Sequence, residues 1–98
     1  MLDLTSTQLA EIKAILSENL KDDAEVYAFG SRTKNTARQY SDLDLLIKAS
    51  QPIAYGTLAL LEDALSESNL PFKTDLIDWH RINEEFQNHI KPQLIRIL

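Results

Sequence analysis

A Gly-Ser pair at 30–31 stands between two short apolar runs, 26–29 and 43–47, and no other feature constrains the fold of this chain as strongly. Short apolar runs bounded by turn residues are typical of buried strands. Asp42 and Asp44 stand at the start of the second run. Because side chains two apart on a strand point to the same side, about 6.5 Å apart, the two carboxylates would project together. The segment therefore predicts two strands, with a small turn beside a pair of carboxylates.

The pair of aspartates has the chemistry of a metal site. Two carboxylates on one face can converge on a pair of Mg²⁺ ions about 3.5–4 Å apart. Mg²⁺ usually binds through one or two carboxylates plus substrate phosphates. Asp44 lies inside an apolar strand, where an unpaired carboxylate is costly, so a binding site explains it better than a structural role. Asp42 follows Ser41, and ordinary turn chemistry is the alternative for this residue.

The turn before the aspartates has the chemistry of a phosphate site. Gly30 permits close approach and an unusual backbone angle. Ser31 and the backbone N–H groups around Gly30 would contact terminal phosphates, and the guanidinium of Arg32 can bind phosphate oxygens in a fork. Lys34 and Arg38 are weaker candidates, because a solvated surface loop would also explain their charges.

Hydrophobic spacing, caps and turn residues predict the remaining elements. They are a helix at 6–20 behind a Thr5–Gln8 capping box, strands at 25–29, 43–48 and 72–79, a helix opened by Pro52, and a helix from 82 to 89 or 90. Residues 93–98 fit either a short strand or a frayed helix. A short link favours antiparallel pairing of the first two strands, and a helical crossover favours parallel pairing of the next two. We expect an α/β (α+β) fold, a small mixed sheet of three to four strands with helices packed on one face and the aspartates on the other.

A third carboxylate, Asp75, lies inside the predicted third strand. If that strand neighbours the second, Asp75 completes a triad with the Asp-x-Asp pair. Asp78 is three residues further on, so strand alternation places it on the opposite face, and we expect a solvated residue at the end of the strand. His80 and His89 have no third partner at metal-ligand spacing, so we expect surface or hydrogen-bonded histidines.

The bulk properties exclude several classes of protein. The chain of 98 residues is predicted to be one domain, 1–98, and it lacks cysteine, which excludes disulfides and thiolate zinc sites. Its formal charge of −5 argues against direct binding of duplex nucleic acid. No apolar run approaches the ~20 residues that span a bilayer, so we expect no membrane association and a cytoplasmic location. The thin core and an exposed terminal strand favour a homodimer or a tight heteromer.

The whole motif resembles the signature of the DNA polymerase beta-like nucleotidyltransferases, and within them the minimal nucleotidyltransferase (MNT) proteins. The residues that carry the resemblance are Gly30, Ser31, Arg32, Asp42, Asp44 and Asp75. The resemblance implies a palm-like fold, ATP as substrate and two Mg²⁺ ions held by the three aspartates. It also implies that Asp75 acts as general base on the attacking hydroxyl.

MNT proteins resemble antitoxins encoded beside HEPN-domain toxins, and the resemblance therefore implies a HEPN-type partner. In that setting the MNT protein transfers AMP to a tyrosine hydroxyl of its partner. The first hypothesis is a Mg²⁺-dependent nucleotidyltransferase that acts as an antitoxin by modifying its partner. The alternative is a binding-only antitoxin that neutralises its partner by complex formation without catalysis.

Overall fold

The computed structural model describes residues 2–33 and 42–98, and over those ranges the chain forms three α-helices and four strands. The helices are α1 (Ser6–Asn19), α2 (Tyr55–Ser66) and α3 (Glu84–Ile90). The strands are β1 (Glu25–Phe29), β2 (Leu43–Lys48), β3 (Thr74–Asp78) and β4 (Ile95–Arg96). Short 3₁₀ turns lie at Ser31–Thr33, Trp79–Arg81 and Lys91–Gln93.

The strands form one mixed sheet in the order β3-β2-β1-β4. β1 pairs antiparallel with both β2 and β4, and β2 pairs parallel with β3. Both predicted pairings are confirmed: β1 and β2 are antiparallel, and the connection through α2 joins the parallel pair β2 and β3. The last segment, which the sequence left open between strand and helix, contributes the edge strand β4.

The start of α1 is set by local chemistry, as predicted. The Gln8 N–H donates to Thr5 Oγ1 at 3.1 Å, and the Thr5 N–H donates to Gln8 Oε1 at 3.0 Å. This capping box satisfies two backbone donors that the first helical turn would otherwise leave unpaired. Ile12 and Leu16 then bury the inner face of the helix completely.

Apolar side chains cover both faces of the sheet. The first cluster joins α1 and α2 to one face through Ile12, Leu16, Val26, Ala28, Leu43, Leu45, Ile47, Leu61, Leu65 and Phe72. A second cluster on the other face joins Phe29, Leu46 and Ile90, with Tyr27, Ile77, Trp79, Ile82, Phe86 and Leu94 around them. The prediction of a mixed sheet is confirmed. The prediction that the helices share one face is wrong for α3, because β1 and β2 present large apolar side chains on both sides, and α3 covers the second.

Asp78 is buried, which corrects the prediction of a solvated residue at the end of the strand. Its side chain is 1% exposed. Its carboxylate accepts hydrogen bonds from the Ile53 N–H at 2.7 Å and the His80 N–H at 2.9 Å, and it pairs with Arg81 Nη1 at 2.8 Å. It lies on the α2 side of the sheet, opposite Asp75, as alternation requires.

The same carboxylate explains two errors in element boundaries. We expected Pro52 to open α2, but the helix begins at Tyr55, with Ala54 at the N-cap and no side-chain cap. The Ile53 N–H is held by Asp78, so residues 52–54 run to the end of β3 instead of coiling. β3 ends at Asp78, since that side chain caps the following 3₁₀ turn.

The described helices all fall short of a membrane span. Within residues 2–33 and 42–98, none combines the length and the apolar character that a transmembrane segment requires.

Candidate active site

Two of the three predicted carboxylates lie side by side. Asp44 on β2 and Asp75 on β3 are direct register partners of the parallel pair. Neighbouring strands lie about 4.8 Å apart, so two side chains at one register position on the same face are adjacent. Both project from the face that carries α3, beside the second apolar cluster. Asp42 lies two residues before Asp44, just ahead of β2, and is exposed.

Gly30 lies directly against the Asp44 carboxylate. Its φ of +86° is a left-handed conformation that residues with a side chain rarely adopt. A Cβ atom at this position would overlap Asp44 Oδ2. The turn is closed by Thr33, whose N–H and hydroxyl both donate to the Gly30 carbonyl, at 3.0 and 2.7 Å. Glycine is therefore required here both by the backbone angle and by the carboxylate that it faces.

The N–H group of Gly30 already has a partner in this structure. It donates to Gln93 Oε1 at 3.1 Å. Gln93 lies in the 3₁₀ turn after α3, 63 residues away in sequence. Phosphate binding by this N–H, as the sequence predicts, would have to displace the glutamine. Sequence reasoning missed Gln93, because only the packing of α3 brings its turn to Gly30.

Burial and charge repulsion act together on Asp44. Burial raises the pKa of its carboxyl above the usual value of 3.8, and the neighbouring charges of Asp75 and Asp42 raise the pKa further. A positive charge does lie near Asp75, since Lys73 Nζ is 3.9 Å from its Oδ1, but both side chains are well exposed. Exposed pairs of this kind contribute little. The site thus concentrates negative charge that a bound cation would relieve.

The carboxylates fit Mg²⁺ as a pair rather than as a closed triad. Among residues 2–33 and 42–98, no group of three or more histidine, cysteine, aspartate or glutamate side chains is arranged to hold a metal ion. Asp44 and Asp75 nevertheless supply two adjacent oxygen donors. That donor set fits Mg²⁺, which commonly takes one or two carboxylates and completes its octahedron with phosphate and water oxygens.

Arg32, which the sequence predicts to bind phosphate, makes contacts on the side of the sheet that carries α1 and α2. Its side chain is buried, with a residue exposure of 5%. Nη1 donates to the Asp3 carbonyl at 3.0 Å, and the guanidinium lies 4.1 Å from the centre of the Phe72 ring. Phe72 belongs to the cluster under α1 and α2, so Arg32 stabilises the opposite side of the sheet. Ser31 stays in the turn beside Gly30.

The other predicted basic candidates have no described contact with the carboxylates. Lys34 and Arg38 lie outside the described residues. His80 Nε2 lies 2.6 Å from the Ala49 carbonyl, which gives this ring a structural partner. His89 is exposed near the Phe86 ring. Lys73 was missed by sequence reasoning, although its position two residues before Asp75 places it on the same side of the strand.

The sequence matches the family described as Polymerase beta, Nucleotidyltransferase over residues 10–98. The chain belongs to this nucleotidyltransferase family. A Haemophilus influenzae protein named "probable protein adenylyltransferase MntA" is 44% identical to this chain over 96 residues. The matched region covers 98% of this chain and 83% of that protein. A Methanocaldococcus jannaschii protein, also named as a protein adenylyltransferase, is 36% identical over 91% of this chain and 97% of its own length.

Solved structures share the fold of this nucleotidyltransferase. A toxin–antitoxin crystal structure with AMP-PNP superimposes with a TM-score of 0.78 at 22% identity, covering 92% of this chain and 72% of that one. A Shewanella oneidensis MNT antitoxin in complex with a tri-AMPylated HEPN toxin gives a TM-score of 0.68 at 18% identity, covering 92% and 68%. At these identities the likeness establishes the fold.

Proposed function

We propose that this nucleotidyltransferase transfers AMP from ATP to a hydroxyl group of a HEPN-type partner protein, in a Mg²⁺-dependent reaction, and so acts as an antitoxin. The observation that carries the proposal is the adjacency of Asp44 and Asp75 beside the left-handed Gly30 turn. The names of the relatives and the AMPylated toxin bound to a neighbour of the same fold supply the substrate class.

Asp44 and Asp75 would hold Mg²⁺, with Asp42 as a proposed third ligand, and the metal would neutralise the triphosphate and lower the pKa of the acceptor hydroxyl. Asp75 accepts the hydroxyl proton. The acceptor oxygen then bonds to the α-phosphorus as the bond from that phosphorus to the β-phosphate's bridging oxygen breaks. Pyrophosphate leaves with the electron pair.

The turn and the surrounding chain position the nucleotide. Ser31 contacts the terminal phosphates from the turn, and Gly30 lets the backbone approach them closely. Lys73, beside Asp75, adds a positive charge at the acceptor side of the site. Most of the rate enhancement in such a transfer comes from positioning and charge neutralisation, which this small domain can supply.

The test is the intact mass of a HEPN-type partner after incubation with this chain, ATP and Mg²⁺. We expect increments of whole AMP units with the wild type and none with an Asp42→Asn/Asp44→Asn variant. Asp22→Asn, an exposed change at the opposite end of β1, is the matched control and should transfer normally. An unchanged mass in spite of a stable complex would overturn the proposal in favour of the binding-only antitoxin.

A further inference from the structure

Over the described part of the chain, the outer side of β3, next to Asp75, has no neighbouring strand. β3 is the end strand in the order β3-β2-β1-β4. The Leu43 N–H donates to the Lys73 carbonyl at 2.9 Å, while Leu43 itself is the register partner of Thr74. Backbone groups alternate in direction along a strand, so those of Thr74 and Leu76 face outward. These donors and acceptors form a template for an added strand.

A groove runs along this open edge. It has a volume of about 540 Å³ and lies between the second half of α2 and residues 72–76. Leu65, Phe72 and Leu76 line it with apolar surface, and two exposed acids of α2, Glu62 and Asp63, form its outer wall. Asp75 also borders the groove, and its carboxylate projects from the opposite face of the same strand, so β3 lies between the groove and the candidate active site.

We propose that this groove binds an extended, basic segment of the acceptor polypeptide as an added strand along β3. The proposal rests on the proposed function and adds the site and chemistry of its acceptor. An added strand places a side chain next to Asp75, at the cross-strand spacing that separates Asp75 from Asp44. Asp75 then lies between the nucleotide-binding carboxylate on one side and the acceptor hydroxyl on the other.

Charge selects the kind of segment. Glu62 and Asp63 are acidic, and the whole chain carries a formal charge of −5. The nearest cation of the groove, Lys73, already lies beside Asp75. A segment with lysine or arginine on either side of its hydroxyl residue complements this lining, whereas an acidic segment is repelled.

The first test measures binding of fluorescent blocked peptides that carry one tyrosine flanked by lysines or by glutamates. We expect the basic peptide to bind more tightly, and a Glu62→Gln/Asp63→Asn variant to raise its Kd by about tenfold, because two charge pairs are lost. The matched control is Glu18→Gln/Asp22→Asn, two exposed acids outside the groove, with a Kd within about twofold of the wild type. Equal effects of the two variants would overturn the proposal.

The second test addresses strand pairing directly. Two basic peptides of identical composition differ only in which of two adjacent residues is N-methylated. Because alternate N–H groups point to β3, we expect one methylation to weaken binding more than tenfold and the other to be tolerated. Equal tolerance would show that the peptide does not bind as a strand. A stable homodimer joined through β3, with no peptide binding, would assign the edge to a second copy and would also overturn the proposal.

Binding and transfer are separated by Asp44→Asn. This variant should lose AMP transfer and keep peptide affinity. If the wild type binds the peptide but modifies no partner, the proposed function is wrong and the assignment of the groove as a peptide-binding site is upheld. If Glu62→Gln/Asp63→Asn transfers AMP to the partner with an unchanged KM, the groove assignment fails and the proposed function stands.

Discussion

At the scale of single residues, the site depends on a glycine that touches a carboxylate. Gly30 is held at φ +86° and faces Asp44 with no room for a side chain. Its carbonyl is bound by Thr33 and its N–H by Gln93, so the turn is fixed from both sides. The position of the Asp44 carboxylate is therefore linked to the shape of the turn.

Gly30→Ala should destabilise the protein by about 1–2 kcal/mol from the left-handed backbone alone, and more from the overlap with Asp44. It should also abolish AMP transfer, because the carboxylate must move. Gly56→Ala is the matched control: nothing lies within 4 Å of its added Cβ, and it sits in α2, where alanine stabilises by about 0.5 kcal/mol. Urea unfolding measures the stability of both variants. Equal losses of stability in Gly30→Ala and Gly56→Ala would refute the requirement for glycine at position 30.

Asp44 should make stability fall as the pH rises. Burial, Asp75 and Asp42 raise its folded-state pKa above 3.8, so the folded protein binds this proton more readily than the unfolded chain. Between the unfolded and folded pKa values, raising the pH therefore costs stability. Asp44→Asn removes that cost, and its melting temperature without Mg²⁺ should exceed that of the wild type at pH 7.

The difference in melting temperature should shrink as the pH falls below the unfolded pKa, where both states hold the proton. Asp75→Asn should reduce the change of melting temperature with pH but not remove it, because burial raises the pKa of Asp44 more than the charge of Asp75 does. A melting temperature of Asp44→Asn below that of the wild type at pH 7 would contradict this explanation.

At the scale of elements, Asp78 joins three segments that meet at the end of β3. Its carboxylate holds the loop before α2 through Ile53, caps the 3₁₀ turn at His80 and pairs with Arg81. Removing it leaves two backbone N–H groups without their acceptor and a cation without its partner.

Asp78→Ala should lower the free energy of unfolding by about 2–4 kcal/mol, since buried charge-assisted hydrogen bonds are lost. Asp78→Asn, which keeps an acceptor oxygen, should cost less. Exposed Asp22→Ala should change stability by no more than about 0.5 kcal/mol. The measurement is urea unfolding, and similar values for Asp78→Ala and Asp22→Ala would rule out this role.

At the scale of the whole molecule, nucleotide binding should stabilise the fold. A ligand at about a hundred times its Kd adds about 2.7 kcal/mol, which in a domain of this size raises the melting temperature by about 10 °C or more. We expect this shift with a non-hydrolysable ATP analogue and Mg²⁺, measured by calorimetry. Chelation of the metal, or Asp42→Asn/Asp44→Asn, should remove most of it. An unchanged melting-temperature shift in the double variant would show that nucleotide binding does not depend on these aspartates.

The sequence by itself determined the elements and their pairing directions. Local signals are enough for these, because apolar spacing, the Thr5 capping box and the lengths of the links act over a few residues. It predicted that Asp44 and Asp75 come together only on the condition that their strands are neighbours, because alternation acts within one strand and the register between β2 and β3 is a tertiary feature.

Only the tertiary structure decided where the side chains between elements go. Arg32 packs on the Phe72 ring and donates to the Asp3 carbonyl, because the packing of α1 and α2 brings these distant residues together. Gln93 meets Gly30 because α3 packs on the second face, and Asp78 is buried because the loop before α2 needs an acceptor. Each of these contacts joins residues at least 25 positions apart, and their energy depends on packing that no local pattern encodes.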